Sequence, residues 1–215
     1  MIISRGRRYI FVHIPKTGGT ALTLALEDRA KADDILIGDT PKAVRRRGRL
    51  KGAQTAGRLW KHSGLADVIE LISEDEARSM FCFTIVRNPW DRMVSYYHWL
   101  RDQSFAHPAV TLAKSLEFSG FLNASHTRTS IGGAPYSSYM RLASGEECCN
   151  AYLRLEHLDE DAAPLEAHLG FRVTPLQRAN VSDRARDWRG YYSDADARLV
   201  ETLCAEDIAR FNYSF

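Results

Sequence analysis

Two short stretches of the sequence carry side chains that could bind phosphate groups. The first, PKTGGT at 15–20, separates an apolar run from a run of helix-forming residues. Backbone N–H groups at such a turn point outward, and the dipole of the following helix favours negative charge there. Lys16 adds a positive charge, Thr17 and Thr20 add hydroxyls, and Gly18 and Gly19 let the main chain approach an anion without a Cβ. These features predict a phosphate-binding loop, against the alternative of an ordinary turn.

The order of residues in this loop differs from that of a Walker A motif. In that motif the lysine follows the glycines, whereas Lys16 precedes Gly18 and Gly19. The hydroxyl position that binds Mg²⁺ in Walker A is lost as well, and no acidic residue ends a strand as a metal ligand would. We therefore expect the loop to bind phosphate without a metal ion.

The second stretch, RNPWDRMVSYYHWLR at 87–101, follows the apolar run MFCFTIV. A continuous apolar run of this length is typical of a strand that is buried on both faces. Asn88 is a helix-capping residue type, Pro89 suits the first helical position, and Asp91 complements the positive end of a helix. The stretch therefore predicts a buried strand that leads directly into a capped helix.

This second turn also carries groups that bind phosphate. Arg87 follows the strand and can form paired hydrogen bonds with a phosphate monoester, and the hydroxyl of Ser95 can add another. Ligands of open α/β sheets bind outside the carboxyl ends of the strands, where Lys16 and Arg87 both fall. The pattern predicts one ligand that carries two separated phosphates.

These two stretches resemble the signature motifs of the sulfotransferases, in particular the carbohydrate (Golgi-type) branch and its bacterial relatives. HIPKTGGT resembles the loop that binds the 5′-phosphosulfate, and VRNPWDRMVSYY resembles the motif that binds the 3′-phosphate. Softer similarities extend over most of the chain, in WKHSGLADV, YLRLEHLDEDAAPLEAHLGF, NVSDRARDWRGYY and DIARFNYSF.

The resemblance implies an α/β fold of the P-loop NTPase type, with a central parallel sheet flanked by helices. It also implies the sulfuryl donor 3′-phosphoadenosine 5′-phosphosulfate (PAPS), with PAP as its product. The donor contacts expected are Lys16, Thr17, Gly18, Gly19, Thr20, Ala21, Arg87, Ser95 and Arg184.

Sulfuryl transfer needs a base for the acceptor and a positive charge for the departing phosphate. Lys16 is the candidate for that charge, and the resemblance assigns it the same role. His62 is the candidate base, because an imidazole with a pKa near 6.5 can remove a proton at neutral pH. Glu70 and His13 are the alternatives, although His13 at the strand end is better suited to packing or to orienting the loop.

Several residues towards the C-terminal part remain open between a role at the site and a structural role. Tyr191 or Tyr192 could stack on adenine, and Arg184 and Ser182 could reach the nucleotide, but aromatic residues there are often packing residues. Glu156 could lie near the site or form a structural ion pair.

Composition limits the remaining function classes. The chain has 215 residues and a formal net charge of +2, which is enough length for a core and too little charge excess for general nucleic-acid binding. No apolar run is long enough to span a membrane and no signal peptide is evident, so we expect one cytoplasmic domain, 1–215. The basic run VRRRGRLK at 44–51 could guide an anionic acceptor or be a solvated surface.

The predicted elements alternate between strands and helices, which favours an α/β domain. Strands are predicted over 7–14, 33–38, 80–86 and 151–158. Helices are predicted over 20–30, 65–72, the segment after Ser73, 89–101, the segment near 111–122, 159–169 with a cap at Gly170, and 194–211 after Ser193.

Two other functions compete with sulfuryl transfer. A small-molecule kinase that uses ATP would need metal ligands and a different lysine position, and a non-catalytic nucleotide-binding protein would not need Lys16 and His62. The expected acceptor is a hydroxyl compound; sugars, lipids, small alcohols and protein tyrosines all stay open, although the carbohydrate-type motifs favour a sugar or glycan hydroxyl. The sequence makes no prediction of the oligomeric state.

Overall fold

The protein is described by a computed structural model that covers residues 1–176, 185 and 187–215. The described residues divide into two compact units. The sheet unit contains 1–86 and 136–176, and the helical unit contains 87–135, 185 and 187–215. The assignment of 1–215 to one domain stays a prediction.

Five strands of the described chain form one sheet in the order β3-β1-β2-β4-β5. Their bounds are β1 Ile2–Ser4, β2 Tyr9–Val12, β3 Ile35–Leu36, β4 Phe81–Val86 and β5 Ala151–Arg154. Strands β2, β4 and β5 are parallel, whereas β1 is antiparallel to both β2 and β3. The predicted parallel sheet is therefore confirmed at its centre, and the antiparallel strand β1 was not predicted.

The described α-helices lie between and after these strands. Their bounds are α1 Gly19–Asp28, α2 Pro41–Arg46, α3 Glu74–Arg78, α4 Pro89–Arg101, α5 Pro108–Ser115, α6 Phe118–Asn123, α7 Ser125–Gly132, α8 Tyr136–Tyr139, α9 Leu158–Asp161, α10 Ala163–Leu169, α11 Asp194–Leu203 and α12 Ala205–Phe211. Short 3₁₀ helices cover Arg5–Arg7, Arg47–Leu50, Ala66–Val68, Leu155–His157 and Arg189–Tyr191. None of the helices in the described residues combines the length and the apolarity needed to cross a bilayer.

The sheet is buried on both faces, because alternate residues of its strands enter two different cores. On one face Tyr9 and Phe11 pack with Phe83, whose ring centroid lies 5.3 Å from that of Phe11, and with Leu22 and Leu26 of α1. On the other face Ile10, Val12 and Cys82 pack with apolar residues of the 65–80 segment and of 140–142. This two-sided burial explains why β4 reads as a continuous apolar run.

The core of the helical unit is built around α4. Met93, Tyr97 and Leu100, which were predicted to share a face, are all buried, together with Trp90. They pack against apolar residues of α5, α6 and α11. The amphipathic pattern of α4 therefore predicted its packing correctly.

Some helix predictions need correction. The segment 65–72 forms only the turn Ala66–Val68 and an isolated bridge between Ile69 and Ile72, although its apolar spacing suggested a longer helix. The helix predicted over 194–211 is interrupted at Cys204, which ends α11 and precedes α12. The helix predicted over 159–169 is likewise divided into α9 and α10.

The predicted helix caps are confirmed. Ser73 accepts a hydrogen bond from the Glu76 N–H, and Ser193 accepts one from the Asp196 N–H. Gly170 follows α10 with φ of 73°, in the left-handed conformation typical of a C-cap. Short side chains that accept hydrogen bonds are local signals, and they mark helix ends even where the helix length is misjudged.

Candidate active site

The loop between β2 and α1 has an unusual main-chain course. Lys16 has φ of 65° and Gly18 has φ of 87°, so two residues of the PKTGGT stretch adopt the left-handed conformation. That conformation is uncommon for a residue with a Cβ, so Lys16 is held there by its surroundings. The loop thus turns sharply between the end of β2 and the first residue of α1.

The two glycines are required by neighbouring side chains. A Cβ on Gly18 would lie 2.7 Å from Cδ1 of Leu155, and one on Gly19 would lie 2.3 Å from Cδ2 of His13. Real Cβ atoms do not approach other atoms this closely. Gly18 and Gly19 therefore let the loop lie against the residue that follows β5 and against the histidine that follows β2.

The N-terminus of α1 is not capped by a side chain. Its N-cap, Gly18, makes no side-chain hydrogen bond, and the first turn contains no acidic residue. The first N–H groups of a helix have no intrahelical partner, and the helix dipole favours an anion beside them. A phosphate therefore fits the charge and hydrogen-bonding character of this helix end.

The hydroxyls of the loop do not all face outward. Thr17 is fully buried, and its hydroxyl donates to the carbonyl of Ile14 at 3.0 Å. Thr20 is half-buried in the first turn of α1, and the Ala21 N–H donates to the Gly18 carbonyl at 3.2 Å. Thr17 therefore stabilises the loop through its side chain, whereas Thr20 is only half-buried.

His62 lies directly against the end of β2. Its Nδ1 is 2.7 Å from the carbonyl oxygen of His13, and the centroids of the two rings are 4.8 Å apart at 74°. Because a carbonyl only accepts, Nδ1 carries the hydrogen, and Nε2 is left as the basic nitrogen. His62 thus contacts His13, which precedes Lys16 by three residues in the loop sequence.

The surroundings of His62 keep the ring neutral. Burial lowers the pKa of His62 to about 4, and the positive charge of Lys61 also lowers it, whereas the hydrogen bond to His13 opposes this change. Burial lowers the pKa of His13 well below its usual value, and the neighbouring His62 adds to the effect. Both imidazoles are therefore in their neutral form at neutral pH.

The alternative bases occupy different settings. His13 is buried, and its ring lies across Gly19, which agrees with the expectation that it packs against the loop. Glu70 is exposed, with φ of 85°, in the turn between Ile69 and Ile72. His13 and His62, by contrast, contact each other directly through their rings.

The turn at the start of α4 is organised by side chains. Asn88 accepts hydrogen bonds from the N–H groups of Trp90 and Asp91, and its own amide donates to the Ser214 carbonyl at 3.0 Å. Arg87 donates to Oδ2 of Asp91 from Nε at 2.9 Å and from Nη2 at 2.6 Å. The predicted cap is therefore confirmed, and the Arg87–Asp91 ion pair, which their spacing of four residues could have suggested, was missed.

The other predicted contacts are distributed as follows. Ser95 is buried on α4, one helical turn after Asp91. Tyr192 donates from its hydroxyl to the Trp90 carbonyl at 2.7 Å, and Tyr191 packs beside Phe118, so both rings belong to the core of the helical unit.

The remaining predictions concern Arg184, Ser182, Glu156 and a metal site. Arg184 and Ser182 lie outside the described residues. Glu156 is exposed in the 3₁₀ turn Leu155–His157 after β5. Within 1–176, 185 and 187–215, no three histidine, cysteine, aspartate or glutamate residues are grouped as ligands for a metal ion.

Comparison with known proteins agrees with these features. The model of the sulfotransferase family matches residues 1–214. The crystal structure of mouse sulfotransferase SULT7A1 complexed with PAP superposes with a TM-score of 0.55 and 17% identity, covering 98% of this chain and 87% of that one. No curated protein matches.

The chain therefore belongs to the sulfotransferase family. The class predicted from the two motifs, a PAPS-dependent sulfotransferase, is confirmed, and the structural match agrees with the predicted α/β fold.

Proposed function

We propose that the protein transfers a sulfuryl group from PAPS to a hydroxyl of a carbohydrate acceptor, with His62 as general base and Lys16 as the residue that stabilises the departing phosphate. The observation that carries this proposal is the N-terminus of α1, which follows Lys16 and Gly18, has no side-chain cap and has no acidic residue in its first turn. The PAP bound to SULT7A1, a protein of similar fold, supports the choice of nucleotide.

The donor contacts follow from the character of the two turns. The loop at Lys16–Ala21 would bind the 5′-phosphate through its N–H groups, the Lys16 ammonium and the Thr20 hydroxyl. Arg87, oriented by Asp91, and Ser95 would bind the 3′-phosphate. The contribution proposed for Arg184 rests on the family resemblance alone.

The chemical step would use His62 and Lys16 on opposite sides of the transferred group. PAPS supplies the sulfuryl group and leaves as PAP. The acceptor oxygen forms a bond to sulfur while its proton passes to Nε2 of His62, and the bond from sulfur to the 5′-phosphate breaks with its electron pair on the phosphate oxygen. The Lys16 ammonium neutralises the charge that develops on that oxygen.

The orientation of His62 supports its role as the base. The His13 carbonyl fixes the Nδ1–H tautomer, so Nε2 is the nitrogen that accepts the proton. The low pKa keeps this nitrogen unprotonated, at the cost of a weaker drive to accept a proton. His62 is thus a weaker base than the pKa near 6.5 expected from the sequence had implied, because burial disfavours its charged form.

The first experiment tests the nucleotide. Calorimetric titration with PAP, ADP and ATP should give measurable affinity for PAP and at least tenfold weaker binding of ADP, because only PAP carries the 3′-phosphate. Magnesium should not be needed for PAP to bind. Equal affinity for ADP, or turnover of ATP with magnesium, would instead favour the small-molecule kinase.

The second experiment tests the base. His62→Ala should lower the turnover number by roughly 10²–10⁴ and leave PAP affinity nearly unchanged. His168→Ala, a change at a histidine of the sheet unit that bonds to the Arg7 carbonyl, serves as the matched control. Full activity in His62→Ala would remove His62 from the mechanism without affecting the nucleotide assignment.

The pH dependence gives an independent measure of the same group. Since the pKa of His62 is lowered to about 4, its basic form is populated fully above pH 5 and is lost as the pH falls through 4. The ratio kcat/KM should therefore stay level between pH 7.5 and 5.5. A solvated histidine base with a pKa near 6.5 would instead cost about tenfold over that range.

A further inference from the structure

An exposed tryptophan lies beside the candidate base. Trp60 is 43% exposed, and its ring centroid lies 5.0 Å from that of His62 with the two planes at 85°. A large aromatic side chain at the surface leaves an apolar face in water that a ligand can cover. Its position next to His62 places that face where an acceptor would lie.

The main chain that carries this tryptophan is held in place. Ser63 is fully buried, and its hydroxyl lies 2.8 Å from the Arg58 carbonyl and 2.9 Å from the Trp60 carbonyl. The same hydroxyl accepts a hydrogen bond from the Trp60 N–H at 3.0 Å. The Gly57 N–H donates to the Asp67 carbonyl at 3.0 Å, which ties the start of the turn to the sheet unit. The indole is therefore presented by an ordered turn.

Positive charge surrounds this turn. The Arg58 guanidinium lies 5.5 Å from the centroid of the Trp60 ring. Lys61 forms an ion pair with Asp39 at 2.6 Å, and Arg47 donates to the carbonyl of the preceding residue, Gly38, at 3.4 Å. Lys61, which precedes His62 in the chain, and Arg47 of the basic run thus contact the same two-residue turn, Gly38–Asp39.

The structure also separates the arginines of the basic run by role. Arg46 donates to the carbonyls of Lys31 and Asp34, and Arg49 donates to the carbonyl of Ala32. These two side chains fasten the run to the 31–34 segment. Arg47 is exposed and donates instead to the Gly38 carbonyl, next to the Asp39 that pairs with Lys61, so its charge lies beside Lys61.

From this juxtaposition we infer that Trp60, Arg58 and Arg47 form an acceptor subsite for a sugar ring that carries an anionic group. The indole face packs against the C–H face of a pyranose, and a guanidinium binds a carboxylate or sulfate through paired hydrogen bonds. This inference rests on the proposed function, because it places the acceptor at His62. It makes the acceptor an acidic oligosaccharide.

The test compares two oligosaccharides of similar size. A hyaluronan hexasaccharide carries uronic acids, whereas N-acetylchitohexaose is neutral, and each is titrated by calorimetry with and without saturating PAP. The acidic hexasaccharide should bind at least tenfold more tightly, and its affinity should fall as the salt concentration rises. Equal affinities, or no binding of either compound, would overturn the inference.

Variants separate the aromatic contribution from the charges. Trp60→Ala should weaken the acidic hexasaccharide at least tenfold, and Trp60→Phe should restore part of the loss. Arg58→Ala and Arg47→Ala should each weaken only the acidic compound. Matched controls are Phe105→Ala, at an aromatic residue that is 48% exposed, and Lys114→Ala, at an exposed charge. An equal effect of the controls would contradict the subsite.

The donor side is followed in the same samples. PAP affinity should remain within about twofold of the wild type in every variant, since none of the changed residues is a proposed donor contact. Failure of the wild-type protein to bind PAP would reject the proposed function. Normal PAP binding without selectivity for the acidic sugar would reject only the subsite.

Discussion

The two turns that follow β2 and β4 each lead into a helix, and the two helices begin differently. At α1 the helix begins at glycine, without a side-chain cap and without an acidic residue in its first turn. At α4 Asn88 caps two N–H groups, and Asp91 in the first turn already pairs with Arg87. Under the proposed function, the main chain would bind an anion at α1, whereas the Arg87 guanidinium would do so at α4.

The largest effect should come from the charge at the α1 turn. Lys16→Ala should lower the turnover number by about 10²–10³, because a charge that stabilises the leaving phosphate acts mainly in the transition state. PAP affinity should fall much less. Steady-state kinetics and calorimetry on the same samples measure both quantities, with Lys114→Ala as control. An equal loss in both would mean that Lys16 binds the nucleotide without assisting the chemistry.

The guanidinium at the α4 turn should show the reverse pattern. Arg87→Ala should weaken PAP binding by about 1.5–3 kcal/mol, roughly 10- to 150-fold, the usual value of a hydrogen bond to a charged group. The turnover number at saturating donor should change little. Arg128→Ala, on the exposed side of α7, is the control. Unchanged PAP affinity in Arg87→Ala would mean that Arg87 does not bind the nucleotide and only pairs with Asp91.

The glycine of the α1 turn tests whether the loop geometry itself matters. Gly19→Ala should lower the free energy of unfolding by about 1–3 kcal/mol, because its Cβ would overlap the His13 ring. Activity should fall as well, since His13 also holds His62. Gly48→Ala, where a Cβ meets nothing within 4 Å, is the control for urea unfolding. Wild-type stability in Gly19→Ala would show that the His13 ring can move aside.

The smallest effect belongs to the cap of α4. Asn88→Ala should lower the free energy of unfolding by about 1 kcal/mol, since the N–H groups of Trp90 and Asp91 lose their acceptor. PAP affinity and turnover should stay close to wild type if the cap is structural. Asn88→Asp, which keeps an acceptor, should recover most of the stability in thermal unfolding. A larger loss of PAP affinity than of stability would assign the cap to the binding site.

Local sequence signals predicted one part of the molecule well. The apolar run of β4 and the cap at Asn88 are signals that neighbours in sequence carry, and both were predicted. Strand β1 was missed because three residues, Ile2–Ser4, are too few to show a pattern, and their pairing with β2 and β3 decides their state. The 65–72 segment was misjudged because its apolar residues fill a core beside the sheet without forming a helix.

The candidate site needed information that local patterns do not carry. The hydrogen bond from His62 to His13 joins residues that are 49 positions apart, and no spacing rule predicts it. The left-handed conformation of Lys16 is set by its surroundings, because its residue type does not favour it. The sequence therefore predicted the family, whereas the roles of the candidate residues stay predictions and tertiary packing determines how those residues are held.

His13 joins two features that would otherwise vary independently. Its ring covers the position of a Cβ on Gly19, and its carbonyl orients His62. A smaller residue at position 13 would make room for alanine at 19, so the two substitutions should be epistatic and less harmful together than their separate costs imply. Laboratory evolution towards new acceptors should therefore leave positions 13 and 19 unchanged, or change them as a pair.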